Sequence, residues 1–224
     1  MFFSKCTRYF LILPVIAMVS CATQQQPLSS VDRSKYKTIA LNPDLKAPEH
    51  YVYRDVAGKR ARAIGNNPML GIIGPLMGAA IGASSEAPGF KRFDAAASQK
   101  PVDIRAVVRR DVDSALRNTQ FFKLTNSNAD VTLNIEILAY GVAPLHGHEL
   151  GGVVMAKATL VGRDGKIIWK KDDWGASNTT AMLEDLEKNP SLWPQMANEA
   201  AEAVARKVVL VTSKTERSVS PTTL

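Results

Sequence analysis

The chain has 224 residues and a formal net charge of +7, and hydrophobic residues make up 46% of it. This length allows one domain with an insertion or two small domains, and the even spread of the basic residues argues against a nucleic-acid-binding protein. Both cysteines, Cys6 and Cys21, lie near the amino terminus, which argues against a fold stabilised by disulfides.

The first residues have the pattern of a secretory signal. Lys5 and Arg8 precede an apolar run at 9–19 (YFLILPVIAMV) and the small residue Ser20. The run is about half of the ~20 residues that a membrane-spanning helix needs, and a proline interrupts it. We therefore predict that residues 1–20 are removed after export, which takes the formal charge from +7 to +5 by the loss of two basic residues.

Met18-Val19-Ser20-Cys21 resembles the lipobox of bacterial lipoproteins, with Met18 in place of the usual Leu. The alternative is a chance cysteine at the end of an ordinary signal. The resemblance implies that signal peptidase II cuts before Cys21 and that this cysteine carries acyl chains such as palmitate, which hold the protein on a membrane. Ala22 stands where Asp would retain such a protein at the inner membrane of enterobacteria. The resemblance thus implies the periplasmic side of the outer membrane.

Residues 21–35 are polar and lack periodicity, so we predict a lipidated flexible tether. A periplasmic domain is expected at 36–214. Its first predicted strand is Tyr36–Leu41, which ends at a turn signal, and Tyr51–Tyr53 offers a second short strand. The basic cluster at 59–62 (KRAR) is interpreted as a solvated surface.

An uncharged apolar segment at 68–83 (PMLGIIGPLMGAAIGA) interrupts this domain as an insertion at about 68–84. Gly74, Gly78 and Gly82 recur every four residues, which on a helix places them on one face and allows close packing of a second helix. The pattern resembles the glycine zippers of membrane-associated envelope proteins. Two interpretations stay open: a helix that contacts a membrane or associates with itself, and an apolar loop packed on the domain.

Further along the chain, the spacing of apolar residues predicts a helix over 102–117, with Asp103 in its first turn. The alternation of apolar residues with their neighbours predicts a half-buried strand from Val131 to Ala139. The runs at 153–161 and 166–169 flank Arg163-Asp164-Gly165, which is typical of a tight hairpin. A last helix is predicted from Ser191 to about Thr212, and residues 215–224 are expected to be a disordered tail.

The element order strand, helix, three strands, helix predicts an α+β fold in two layers, with an antiparallel sheet covered by two helices on one face. This order, with the strand VTLNIEILAYG and the hairpin LVGRDGKIIW, resembles the small periplasmic domains of curli-export, penicillin-binding-protein-activator and transport-auxiliary lipoproteins. The resemblance covers residues 36–42 and 101–212.

Residues that could carry chemistry are few. His146 and His148, with Glu149, could supply metal ligands, but a solvent-exposed turn is the preferred interpretation because a tight site needs more ligands. Asp172 and Asp173 are adjacent on a predicted strand and should point to opposite faces, which argues against shared acid–base work. The three tryptophans are expected to be core or rim anchors: Trp169, Trp174 and Trp193.

Three hypotheses follow. The first is a lipid-anchored, non-catalytic adaptor that has no cofactor and binds another envelope protein. The second is a homo-oligomeric membrane-inserting or export component that uses residues 68–83. The third, a metal-dependent enzyme or metal carrier, rests on His146 and His148 alone.

Overall fold

The computed structural model describes residues 34–54, 88–119 and 121–213, which contain one mixed sheet and four helices. The strands are β1 (Thr38–Leu41), β2 (Val52–Tyr53), β3 (Lys123–Leu124), β4 (Val131–His146), β5 (Glu149–Gly162) and β6 (Ile167–Ala181). The helices are α1 (Pro88–Gln99), α2 (Ile104–Arg117), α3 (Leu183–Lys188) and α4 (Leu192–Ser213). The α+β class is confirmed. None of the described helices combines the length and the apolar character that crossing a membrane requires.

Strands β4, β5 and β6 form the predicted antiparallel meander. Alternate residues from Val131 to Ile137 are buried, as the sequence pattern requires. The β5–β6 turn lies at the predicted Asp164-Gly165, and Gly165 has the positive φ of 77° that a tight turn favours. All three strands are longer than predicted, because β-bulges in β4 and β6 shift the alternation without ending the pairing.

The other three strands correct one part of the prediction, since the sheet is mixed and not wholly antiparallel. β1 pairs in parallel with both β3 and β4, and β2 pairs in parallel with β4 further along. The strand order is β3-β1-β4-β5-β6, and β1 and β2 follow one another along the same edge of β4. The chain passes through α1 and α2 between β2 and β3, and such a crossover allows strands to return in the same direction.

Both predicted helices are confirmed. Asp103 precedes α2, and its carboxylate accepts hydrogen bonds from the backbone N–H groups of Arg105 and Ala106 at 3.1 and 3.2 Å, so it caps the helix instead of lying in the first turn. α4 begins one residue after Ser191. The two helices share a core with the sheet and bury these residues in it: Ile104, Val108, Val112, Leu116, Trp193, Met196, Ala200, Val204 and Val208.

Two further helices were not predicted. α1 follows the glycine-rich segment and buries Phe93, Ala96 and Ala97, of which the alanines give little hydrophobic signal. α3 has only 6 residues, too few to show helical periodicity. Arg92 of α1 holds the two helices together, with ion pairs to Glu187 at 2.6 Å and to Glu184 at 3.2 Å.

Helix α4 lies directly on the sheet because two glycines leave room for its backbone. A Cβ atom at Gly152 would be 2.4 Å from the carbonyl oxygen of Met196. A Cβ atom at Gly175 would be 2.2 Å from the carbonyl oxygen of Ala200 and 2.4 Å from the amide nitrogen of Val204. Glycine is therefore needed at both positions by close approach.

Aromatic residues join β2, α1 and α4 in one cluster. The ring of Phe93 packs edge-on against Tyr51 at 5.2 Å and against Trp193 at 5.3 Å. Tyr53 at the end of β2 touches the start of α1, where a Cβ atom at Gly89 would be 2.5 Å from its hydroxyl oxygen. The two ends of the described chain that flank residues 55–87 therefore lie close together.

Candidate partner-binding face

The two faces of the sheet differ in what lies against them. On one face, the buried residues of β4 pack with α2 and α4 in the main core. On the other face, the intervening residues of β4 are half-exposed and lie beside Lys157 and Thr159 of β5. This second surface, formed by 132–136 of β4, 157–161 of β5 and the start of β6, is named the open face.

A groove of about 400 Å³ lies on the open face beside the segment that follows β1. The side-chain amide of Asn42 donates to the side-chain oxygen of Asn134 at 2.6 Å, and the Asn42 side-chain oxygen accepts from the N–H of Asp44 at 3.0 Å. Further along, the N–H of Ile137 donates to the carbonyl of Lys46 at 2.8 Å. These bonds fix residues 42–46 as one side of the groove. The lining consists of Asn42, Asp44, Lys46, Asn134, Ile135, Glu136, Lys157, Thr159, Val161 and Ile167.

A row of charges crosses the open face at the level of Lys157. This residue pairs across the sheet with Glu136 of β4 on one side and with Asp172 of β6 on the other. The Lys157 Nζ atom is 3.2 Å from a Glu136 carboxylate oxygen, and the side chains are 40% and 44% exposed. An ion pair so exposed contributes at most about 1 kcal/mol to folding. Both side chains can therefore re-pair with an incoming surface at little energetic cost.

The predicted lipidation and zipper residues lie outside the described residues: Cys21, Gly74, Gly78 and Gly82. The signal, the basic cluster at 59–62, the segment at 68–83 and the tail lie outside them as well, as does all of the tether except Ser34 and Lys35. Their roles stay predictions from the sequence.

The interpretation of the histidine segment as an exposed turn is confirmed. His146 ends β4, His148 precedes β5, and both are exposed, as is Glu149. Gly147 between them has a φ of 56°. Within residues 34–54, 88–119 and 121–213, no group of three or more His, Cys, Asp and Glu side chains is placed to hold a metal ion.

The prediction for Asp172 and Asp173 is also confirmed, since they lie on opposite faces and only Asp173 is buried. Its carboxylate is 2.6 Å from Lys171 Nζ and 3.9 Å from Lys207 Nζ. The same Lys207 donates to the carbonyl of Trp174 at 2.6 Å and lies 4.8 Å from the centre of its ring. Trp174 is half-buried at the rim, and the other two tryptophans are in the core.

Sequence reasoning missed the groove. Glu136 and Lys157 are on the polar side of predicted strands, and nothing local marks them as neighbours. Only the register of β4 against β5 brings them together, and only the parallel placement of β1 adds Asn42 and Lys46 beside them. The predicted hairpin at Asp164-Gly165 sets the register of β5 against β6. It therefore does not predict how β4 is aligned with β5.

No protein-family model and no curated protein matches the chain. Among solved structures, the chain is similar to a protein of Xanthomonas campestris from family DUF330, with 13% identity, 47% of this chain and 58% of that one covered, and a TM-score of 0.37. It is similar to a minor lipoprotein of Acinetobacter baumannii, with 15% identity, 51% and 84% covered, and a TM-score of 0.39. It is also similar to a lipoprotein of Neisseria meningitidis, with 20% identity, 72% and 99% covered, and a TM-score of 0.25. The α+β class follows from the helices and strands of this chain.

Proposed function

We propose that this protein is a lipoprotein anchored through Cys21 on the periplasmic side of the outer membrane, and that its folded part is a non-catalytic adaptor for another envelope protein. The anchor is supported by the lipobox-like Met18-Val19-Ser20-Cys21 after a signal-like run. The adaptor role is supported above all by the groove on the open face, where exposed charges lie on a sheet whose other face is packed with helices.

The chemistry of the groove favours a protein as the partner. Lys46 and Lys157 alternate with Asp44 and Glu136, so both signs of charge are present within one groove. A nucleic acid would select a surface of one sign, whereas a polypeptide can supply a matching set of acids, bases and amide groups. The lining holds no histidine and no cysteine, in keeping with a binding role.

The anchor is tested by lipid labelling of the full-length chain in cells. Cys21→Ser should lose the label and accumulate as an uncleaved precursor, because serine lacks the thiol that accepts the diacylglyceryl group. Cys6→Ser is the matched control and should be labelled and processed normally, since that residue leaves with the signal. A labelled and matured Cys21→Ser protein would show that the anchor is wrong. Recovery of the wild type in the inner membrane would overturn the outer-membrane assignment alone.

The adaptor role is tested by photo-crosslinking in intact envelopes. A photoreactive residue at Thr159 in the groove should give one adduct of defined mass, and the same residue at Glu202 on the exposed side of α4 should not. The double charge swap Glu136→Lys with Lys157→Glu keeps the ion pair within the sheet but reverses both charges that the partner meets. We expect the adduct to fall at least about tenfold in this variant, as mispaired charges in an interface cost several kcal/mol.

Two results would contradict the adaptor role. One is the same set of adducts from Thr159 and from Glu202, which would mean random collision. The other is an unchanged adduct after the charge swap in a protein that still folds, which would exclude the groove charges from recognition.

A further inference from the structure

One end of the sheet combines exposed apolar side chains with an excess of basic residues. Strands β1, β3, β4 and β6 begin at this end, and β5 ends there. The register shows this: Thr38 lies opposite Lys123, Ile39 opposite Val131, Val131 opposite Gly162, and Val161 opposite Ile167. We name it the basal end and define it by residues 34–37, 121–123, 125–130 and 163–167. The loops on it are joined, since Arg163 donates to the carbonyl of Ala129 at 2.7 Å.

The amino-terminal side of the chain enters the fold at this end. Ser34 and Lys35 are the first described residues, and β1 begins three residues after Lys35. Even fully extended, the residues between Cys21 and Ser34 reach at most about 45 Å. A lipid anchor on Cys21 therefore holds the basal end, where the chain enters the fold, within about 45 Å of the membrane surface. This step rests on the anchor that is proposed above.

Exposed apolar side chains mark the two margins of the basal end. Among the described residues, the large hydrophobic side chains that are exposed are Phe121, Ile167 and Met182, at 40%, 63% and 40%. Phe121 lies just before β3, at one margin, and Ile167 begins β6, at the other. Four strand spacings separate them, about 19 Å. Two side chains so placed could enter a lipid interface together, whereas Met182 follows the far end of β6.

The charge between these two side chains is positive. Five basic and two acidic residues belong to the basal end, which leaves a surplus of three positive charges: Lys35, Lys37, Lys123, Arg163 and Lys166 against Asp130 and Asp164. Both acids form ion pairs within the basal end: Asp130 with Arg163 at 3.3 Å, and Asp164 with Lys166 at 3.4 Å.

Asp130 remains charged and committed to these contacts. Its carboxylate accepts from the N–H groups of Lys37 and Thr38 at 2.9 Å each, and these bonds hold the pKa of Asp130 below its usual value. Within the described residues, Lys37 and Lys123 form no ion pair, and they are neighbours because the Lys123 N–H donates to the Lys37 carbonyl at 2.8 Å. Each such lysine near an anionic lipid surface favours binding by roughly fivefold.

From this arrangement we infer that the basal end binds directly to an anionic lipid surface, with Phe121 and Ile167 in the interface and Lys37 and Lys123 against the headgroups. The lipid anchor supplies attachment, and the basal end sets the orientation of the domain. Ile167 also lines the groove, so the groove opens beside the membrane in this orientation.

The first test uses the mature chain from residue 22 onward, made without lipid, and vesicles of phosphatidylglycerol and phosphatidylethanolamine against vesicles of phosphatidylcholine. We expect a partition coefficient at least about tenfold higher on the anionic vesicles. Lys37→Gln with Lys123→Gln should lower it at least about tenfold, and so should Phe121→Ser with Ile167→Ser. The controls are Lys91→Gln, exposed on α1, and Met182→Ser, which is as exposed as Phe121; both should bind like the wild type.

The second test uses the lipidated mature protein, from which Cys6 has been removed with the signal, in the anionic vesicles. Lipidation consumes the thiol of Cys21, so a fluorophore on Ile167→Cys or on Met182→Cys has a unique attachment site. Nitroxide-labelled lipids should quench the label at Ile167 and leave the label at Met182 bright. Equal binding to both vesicle types, equal losses in the control variants, or equal quenching at the two positions would each overturn the inference. The vesicle-binding results do not depend on the Cys21→Ser experiment, because they use the chain without lipid, so failure of the anchor and failure of the basal end are distinguishable.

Discussion

At the scale of single residues, Asp173 stands out as the buried charged residue of the part that the structure describes. Its side chain is 8% exposed, and its carboxylate has Lys171 Nζ at 2.6 Å and accepts from the N–H of Trp174 at 2.9 Å. A buried carboxylate is tolerated only when its charge is paired and hydrogen-bonded. Lys207 of α4 completes the group by reaching the same strand, so the buried charge links the helix to the edge of the sheet.

We expect Asp173→Ala to lower the free energy of unfolding by about 3 kcal/mol, because it leaves the largely buried Lys171 without its counter-charge. Urea unfolding of the non-lipidated mature chain measures this. Asp172→Ala is the matched control, an adjacent aspartate on the opposite, half-exposed side of the strand, and it should cost less than about 1 kcal/mol. Equal losses in the two variants would mean that the burial of Asp173 is not what matters.

At the scale of elements, the position of α4 depends on the glycines beneath it. The helix backbone at Ala200 and Val204 occupies the volume that a side chain at position 175 would need. The atoms in contact are backbone atoms, which cannot turn away as the end of a flexible side chain can. Any side chain at Gly175 must therefore displace the helix, and with it the core residues that the helix presents.

Gly175→Ala should cost about 1–3 kcal/mol in unfolding free energy, as expected when a well-packed contact is overfilled. The control is Gly147→Asn in the exposed β4–β5 turn, where nothing lies within 4 Å and φ is 56°. Asparagine accepts that conformation readily, so we expect a cost below about 0.5 kcal/mol. If Gly175→Ala unfolds at the same urea concentration as the wild type, the helix does not need close contact with this strand.

At the scale of the whole molecule, the segments before and after residues 55–87 pack against each other. Tyr53 and Gly89 are in contact, and the aromatic cluster of Tyr51, Phe93 and Trp193 holds both flanks to α4. The connection from Arg54 to Pro88 thus spans a short distance. We therefore expect that a linker of a few residues can replace residues 55–87 without pulling β2 away from α1.

We expect the chain with 55–87 replaced by a short Gly-Ser linker to fold with an unfolding free energy within about 1 kcal/mol of the wild type, since loop length has a small effect on closure entropy. Urea unfolding and circular dichroism measure this. A large loss of stability would support the alternative in which the apolar segment packs on the domain.

The same replacement separates the zipper hypothesis from the packed loop. If Gly74, Gly78 and Gly82 form a helix–helix contact, the wild type should be oligomeric in detergent and both the replacement and Gly78→Leu should weaken the assembly. Leucine is the better helix former by several tenths of a kcal/mol, so loss of helix would not explain the defect. A monomeric wild type would remove the support for an export component.

The sequence by itself determined the features that depend on neighbours along the chain. The lipobox-like residues before Cys21, the helix predicted over 102–117, the alternation from Val131 and the Asp164-Gly165 turn are all local patterns. Periodicity reports which side of an element is apolar, and turn chemistry reports where a chain can reverse. These signals were sufficient for the α+β class and for the two main helices. They failed for α1 and α3, where alanines or shortness weaken the pattern.

Only the tertiary structure decided which surfaces come together. The parallel pairing of β1 and β2 along β4 brings Lys46 beside Glu136, and the register of β5 adds Lys157. The same pairing gathers Lys37, Lys123 and Ile167 at one end of the sheet from three separate regions of the chain. The physical reason is that strand direction and register follow from burying one common core, to which residues far apart in sequence contribute, so no local pattern encodes them.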